Sequence, residues 1–539
     1  MRVRGASWLL TGLFCLGVSV LGPAADAESG PVRSDGAATA YWADAAPKPG
    51  GDRRPVVQGR LPNGLRYAIL SRRTSEPGAA LFLRVRGGFL AERRPGERGL
   101  AHLIEHIVFH SPTRTAPDEY DRFRRIGFPL SFPEPAGGTT SWRESDYFVV
   151  SRTTRPADLD ALLGLFREVF SELTFRADAV DGQRAEVMRE MADKKLGNDI
   201  YASYIAAVAP GSPTDVIDAQ NSDDVPTADV GTIRALYHRL YRPENTTVVI
   251  AGDVDGPRMK ALIEKRFGAW RGVGPKPGRV PTPIFRSDRI APISHSDFQR
   301  GRNVAMMTVA TPLPPPPRSR SGQAEGMLMD MLAMRAVNDR LARAQVGFPP
   351  GKYGIFIENG EQGHRLLHFW DSFTPGQWRS AIAGLKRTTC DLSTAGFSEP
   401  EWTAAKQNLL RDLEVRARAV AGAPNFELAR EMSNALTDGR DLIPPDELLH
   451  HARSWLPTLS VREGGEWWRR QWTAGVEHIR VESPELAQVE NRETAIRAAA
   501  DAAVQDIGCK VRPSRAALPA PGASTPPSIT AERLRHPSR

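Results

Sequence analysis

Apolar residues recur along this chain with two periods, and the switches between them mark its elements. Alternation of apolar and polar positions, the spacing of a half-buried strand, runs through Leu65-Arg66-Tyr67-Ala68-Ile69-Leu70. A second strand signal covers Leu81-Phe82-Leu83-Arg84-Val85-Arg86 and ends at Gly87-Gly88-Phe89. After a polar loop from Ala91 to Arg98, helical spacing takes over from Gly99 to Phe109, and Ser111-Pro112 stops it. Further helices are predicted over Pro156 to Leu173 and Arg176 to Lys195. Thr246 to Asp255 reads as a strand and turn that feed a helix over Met259 to Phe267. This mixture predicts an α+β fold, with helices packed against a largely antiparallel sheet.

The same succession returns in weaker form. A strand over Val304 to Val309, a helix over Ala324 to Arg343, a strand over Tyr353 to Ile357 and a helix over Pro400 to Arg418 form a second set. The chain therefore divides into a first domain over residues 55–272, a linker over 273–283 that holds the proline- and glycine-bearing run Pro275 to Pro281, and a second domain over 284–511. Pro312 to Pro317 lengthens a loop of the second domain. Residues 28–54 read as a flexible lead-in and residues 512–539, without periodicity, as a disordered tail.

Residues 1–27 read as a targeting segment rather than as structure. Arg2 and Arg4 precede an apolar run from Trp8 to Leu21, too short to span a bilayer comfortably, and Ala25-Asp26-Ala27 is a small-x-small cleavage site. Export by a cleaved signal peptide is expected, to the periplasm or outside the cell, with no transmembrane anchor. Cys15 lies within that segment, so Cys390 and Cys509 remain. They are free to pair in an oxidising compartment or to stay separate thiols, and their spacing does not decide between the two.

Composition adds little beyond class. With 539 residues, 41% hydrophobic and 25% charged, the chain is globular and long enough for at least two domains. Its net charge of +8 is spread along the sequence, without the aromatic-interleaved basic runs of a nucleic-acid binder, so nucleic acid is not an expected partner.

The helix over Gly99 to Phe109 carries the chemistry. In Gly99-Leu100-Ala101-His102-Leu103-Ile104-Glu105-His106-Ile107-Val108-Phe109, His102 and His106 stand one turn apart with Glu105 beside them, on an otherwise apolar helix. Neutral imidazoles bind zinc, and a carboxylate next to a zinc-bound water can take its proton, so H-x-x-E-H is a catalytic metal motif. Two histidines leave a zinc site incomplete. The helix over Asp181 to Met191 offers Glu186 and Glu190 at i and i+4, and spacing alone does not choose between them.

Leu61-Pro62-Asn63-Gly64-Leu65, Gly87-Gly88, the H-x-x-E-H helix and Tyr241-Arg242-Pro243-Glu244-Asn245 occur here in an order and spacing that resemble the pitrilysin/insulinase family of zinc metallopeptidases, the inverzincins. The resemblance implies two homologous domains, each a mainly antiparallel sheet with helices on one face, the second without metal. Together they would form half of a clam-shaped peptidase. It implies one Zn2+ per chain held by His102, His106 and Glu190, with Glu105 as general base, since Gln183-Arg184 to Glu190 fits the family's frame for the third ligand. Gln183 stands where the family has a supporting carboxylate, and the gap from His106 to Glu190 is longer than usual, with Pro129 to Gly138 as the expected insertion.

The resemblance also places Thr140 and Ser141 on the edge strand that pairs with substrate, where Gly137-Gly138 replaces the family's Asn-Ala pair. Arg343 and Tyr353 take the places of an arginine and tyrosine that bind the substrate carbonyl region. Gln183 and Glu186 are the expected outer supports of the metal. The implied function is an exported zinc endopeptidase acting on peptides or unfolded proteins, in a homodimer or heterodimer with a second half. The alternatives are a non-catalytic peptide-binding subunit of the same fold and a zinc hydrolase with non-peptide substrates.

Overall fold

The structure is a computed structural model that describes residues 56–72, 78–114, 136–141, 143–210, 222–278, 289–297, 303–313, 317, 319–344, 353–359, 364–419, 423–437, 443–506 and 508–509, with residues 193–201 described by backbone alone. The expected leader over 1–27, the expected lead-in over 28–54, the expected tail over 512–539, residues 129–135 of the expected insertion and most of the second half of the expected linker lie outside the described residues.

The first half opens with strands β1 (Val57–Arg60), β2 (Arg66–Ser71) and β3 (Ala79–Arg86), helix α1 (Leu100–His110), and a hairpin of β4 (Ala136–Thr140) and β5 (Glu144–Ser151). Helices α2 (Pro156–Val169), α3 (Ala177–Val208) and α4 (Val230–Leu240) lead to β6 (Thr246–Gly252) and α5 (Gly256–Phe267). The second half runs β7 (Ile293–Ser296), β8 (Val304–Pro312), α6 (Arg320–Ala344), β9 (Tyr353–Asn359), β10 (His364–Ser372), α7 (Trp378–Thr394), α8 (Glu399–Ala419), α9 (Asn425–Thr437), α10 (Pro445–Trp455), α11 (Val461–Ala474), β11 (Val476–Glu482) and α12 (Arg492–Asp506).

The two sheets share one topology. The first has the order β1-β2-β6-β3-β5-β4 and the second β7-β11-β8-β10-β9. Without β1 the orders correspond strand for strand, and the parallel pair falls at the same place, β2 with β6 and β7 with β11, all other pairs being antiparallel. Helix α6 thus occupies in the second half the place of α1 in the first. It carries no H-x-x-E-H.

Burial explains the sequence of the central strands. β3 (AALFLRVR) and β6 (TTVVIAG) are buried on both faces, which requires cover on both sides of the sheet. One face takes the half's own helices: α1 and α2, with Leu103, Ile104, Ile107, Leu162 and Phe166, pack into the core that holds Leu81, Leu83 and Val248. The opposite face takes α9, lent by the second half, whose Leu428, Ala429 and Met432 lie against Ala68, Ala80, Phe82, Phe148, Val249 and Ala251. The loan is reciprocal. The C-terminal turns of α3 place Tyr204, Ile205 and Val208 against Ala310, Leu366 and Val476 of the second sheet.

The expected strand from Leu81 stops at the glycine pair, because Gly88–Ala91 closes into a 3-10 turn after Gly87 adopts φ 144°. A predicted helix boundary differs from the structure for a physical reason. The helix expected to end near Lys195 continues to Val208, where the second sheet supplies it with a new apolar surface. Cys390 and Cys509 form a disulfide that ties α7 to the segment after α12. No helix among the described residues is long and apolar enough to cross a membrane.

Because α9 covers the first sheet from the second half, truncation in one half should weaken both. Met432→Ala, at a position 2% exposed, is expected to lower stability by about 2–5 kcal/mol. The two halves should melt together in one earlier transition. Calorimetry that resolves two transitions, with only the second half shifted, would contradict the reciprocal packing.

Candidate active site

Side chains from α1, α3 and β4 converge beside the edge of the first sheet. Nine of the α1 side chains are buried, among them His102 and Glu105, so the helix is internal and its polar groups have fixed surroundings. His102 and His106 stack one turn apart, ring edge to ring face, with centroids 4.9 Å apart. Glu190, from α3, brings its Oε2 to 3.5 Å from His102 Nε2 and 3.4 Å from His106 Nε2.

These separations test the fit of a metal. Ligands bound to zinc at about 2.0–2.1 Å in tetrahedral array stand roughly 3.3–3.4 Å from one another. The Glu190 contacts match that edge length, and they are long for hydrogen bonds. The donor set, two imidazole nitrogens and a carboxylate with no thiolate, suits zinc, and ligand atoms of all three residues lie within 4.8 Å of one another. Gln183, two turns before Glu190 on α3, presents its Oε1 to His106 Nδ1 at 3.3 Å. This contact selects the tautomer protonated at Nδ1 and leaves the Nε2 lone pair facing Glu190. Burial works to lower the His106 pKa, but Glu190, Glu105 and Gln183 together outweigh it and raise it.

Glu105 is 7% exposed, with Oε2 at 3.8 Å from His102 Nε2. Thr140 of β4 donates its hydroxyl to the same oxygen at 3.4 Å. Gly138 is the neighbour that makes room: a Cβ there would lie 2.5 Å from Glu105 Oε1. Beneath the site Tyr147 and Tyr241 join hydroxyl to hydroxyl, fully buried, and burial raises the pKa of both.

The other expected residues lie further out. Ser141 holds the β4–β5 turn, accepting from the amides of Arg143 at 3.0 Å and Glu144 at 3.2 Å and donating to Glu144 Oε1 at 3.0 Å. Glu186 turns outward to pair with Arg189. Arg343 pairs with Glu401, which also holds Arg340 at 2.6 Å, and Tyr353 packs against the second core, so these two make their contacts within the second half. Sequence reasoning missed Glu92, whose buried carboxylate accepts hydrogen bonds from the amides of Gly99 at 2.9 Å and Ala101 at 2.7 Å. The signal was an acidic residue in the loop before a helix whose own N-cap is glycine.

The fold and the site combine a repeated α+β unit with a His-His-Glu group on its first copy. The chain belongs to the insulinase, or pitrilysin, family of peptidases: residues 67–199 match the model described as Insulinase (Peptidase family M16), and residues 227–409 match that of the Peptidase M16 inactive domain. The second match covers α6, the helix without H-x-x-E-H.

Among its relatives, the chain is 29% identical over 215 residues to the probable zinc protease PqqL of Escherichia coli, covering 39% of this chain and 22% of PqqL. It is 25% identical over 197 residues to the zinc protease PqqE of Helicobacter pylori, covering 36% of this chain and 42% of PqqE. The chain thus aligns with less than half the length of these curated relatives. The crystal structure of the periplasmic protease PqqL from E. coli superimposes with TM-score 0.69 at 20% identity, covering 84% of this chain and 51% of that one. The structure of the first half of PqqL is covered to 98%, also at TM-score 0.69. Pitrilysin matches with TM-score 0.63 at 14% identity, over 88% of this chain and 50% of its own.

The geometry ranks the carboxylates. Gln183→Ala is expected to weaken zinc binding by about 10-fold, the scale of a lost hydrogen-bond partner behind a ligand, and Glu190→Gln by more. Glu186→Gln should leave it at the wild-type value. Zinc titration against a chelating indicator reads all three, and a Glu186 effect equal to that of Glu190 would move the ligand by one helical turn.

Proposed function

We propose that the chain is one half of an exported zinc-dependent endopeptidase that hydrolyses peptide bonds of short or unfolded polypeptides. The observation that carries the reading is the approach of Glu190 to both imidazoles at 3.4 and 3.5 Å, with Glu105 beside them on the same helix. A zinc ion in this group supplies a Lewis acid for the scissile carbonyl and lowers the pKa of an attacking water. Glu105 takes the water proton and passes it to the leaving amine nitrogen, and its shielded position keeps the carboxylate oriented. The Thr140 hydroxyl holds Oε2, while β4, the edge strand among the described residues, offers its outer backbone side to an extended peptide.

Three further observations support the rest of the reading. The Cys390–Cys509 disulfide fits an oxidising compartment, in agreement with the leader over residues 1–27 and with the periplasmic description of PqqL. Separate cores over Leu61 to Trp270 and Ile293 to Ala500 support domains over 55–272 and 284–511. The match to the first half of PqqL supports a half-enzyme that closes over substrate with a second half, another copy or a partner chain.

Glu105→Gln removes the base and spares the ligands. It should keep close to one zinc per chain and lose about 10²–10⁴-fold in kcat, whereas His102→Ala and His106→Ala should lose the metal. Unaltered turnover in Glu105→Gln would refute the base. Specific activity should also fall on dilution in step with dissociation seen by light scattering, and a fully active monomer would refute the half-enzyme.

A further inference from the structure

Helix α1 cannot cap itself. Its N-cap position is Gly99, in the left-handed region at φ 83°, where a Cβ would lie 2.5 Å from Ser222 Cα, so no residue with a capping side chain fits there. The Leu100 amide donates to the Glu97 carbonyl at 3.0 Å, but the helix itself leaves the amides of Gly99 and Ala101 without partners in a buried setting. Glu92, seven residues upstream and 6% exposed, supplies the cap with both carboxylate oxygens: Oε2 to the Gly99 amide and Oε1 to the Ala101 amide, the residue directly before His102.

The loop between Glu92 and Gly99 is pinned by carboxylates as well. Glu97, 1% exposed, accepts from the Arg94 amide at 2.9 Å and pairs with Arg239 at 2.6 Å. Asp224 accepts from the Arg98 amide at 2.8 Å. On its other side Glu92 ends the 3-10 turn Gly88–Ala91, and that turn is bonded to the β4–β5 hairpin: Gly87 donates to the Arg143 carbonyl at 2.6 Å and Phe89 to the Ser141 carbonyl at 3.1 Å. Glu92 therefore stands between the edge strand that carries Thr140 and the helix that carries His102, Glu105 and His106.

We propose that Glu92 is a positioning residue of the metal site, which fixes the N-terminal end of α1 against the β4–β5 hairpin and so sets where His102 and His106 meet Glu190. The proposal rests on the peptidase reading only in taking His102, His106 and Glu190 as the ligands. Burial pushes the Glu92 carboxyl well above the usual carboxylate range, against the two amide hydrogen bonds that lower it. A carboxamide cannot replace it, because one of its two ends is an NH2 that would face an amide donor.

The test uses the full chain with Glu92→Gln, Glu92→Asp and a control, Glu463→Ala. Glu463 belongs to the capping box of α11 in the second half, where it accepts from the Ser460 amide at 2.7 Å, so it matches the loss of a helix cap away from the site. Cobalt(II) is loaded in place of zinc for its visible spectrum, and zinc release to a chelator is timed. Glu92→Gln is expected to alter the cobalt spectrum and to release zinc about tenfold faster, Glu92→Asp to fall between it and wild type, and Glu463→Ala to lower Tm without either change. A folded Glu92→Gln, or a folded Glu92→Asp should the first fail to fold, with wild-type spectrum and release rate would overturn the proposal. That outcome leaves the peptidase reading standing if Glu105→Gln is inactive, whereas a wild-type chain that takes up no metal would end both.

Discussion

The packing of α3 on α1 is the constraint on which the site depends. A carboxylate must reach two imidazoles at 3.4–3.5 Å from a different helix, and a shift of one turn would put Glu186 there instead. The position of α3 is fixed from both ends. Val180 and Val187 lie in the first core, and Tyr204, Ile205 and Val208 lie against the second sheet. The half without the motif thereby anchors the helix that offers Glu190. The second sheet repeats the topology of the first, but its contribution to the site is this clamp, together with the return loan of α9.

How far the sequence could be read follows from which contacts are local. His102, Glu105 and His106 lie on one helix, so their spacing places them together without knowledge of the fold. Glu186 and Glu190 could not be separated by spacing, because the rotation of α3 about its axis is set by residues far away in sequence. Its length escaped for a related reason. A helix that serves two sheets in succession does not keep one apolar face, and its periodicity fades past Lys195 even though it continues to Val208. Glu92 was invisible because it caps a helix from outside, across a loop. The exchange of α3 and α9 was equally hidden, since period and propensity report that a face is apolar but not which partner covers it.

The glycine pair of β4 illustrates a departure from family pattern that the structure explains. Side chains of a strand alternate between faces, and here both directions are occupied. A Cβ on Gly137 would meet the ring of Phe148 at 2.8 Å, and one on Gly138 would meet Glu105 Oε1 at 2.5 Å. Phe148 in turn lies tilted against Phe426 of α9, with ring centroids 4.6 Å apart. The edge strand is thin because the second half presses on one side of it and Glu105 on the other. Any recognition at these two positions is left to the backbone.

The central claim is that two imidazoles and one carboxylate of this chain hold a single zinc ion. X-ray absorption at the zinc edge of the purified full chain tests it most directly. The account predicts a shell of nitrogen and oxygen ligands at about 2.0–2.1 Å, with the outer scattering pattern of two imidazoles and no sulfur. A sulfur ligand, a single imidazole, or a chain that holds no zinc after exposure to it would contradict the account.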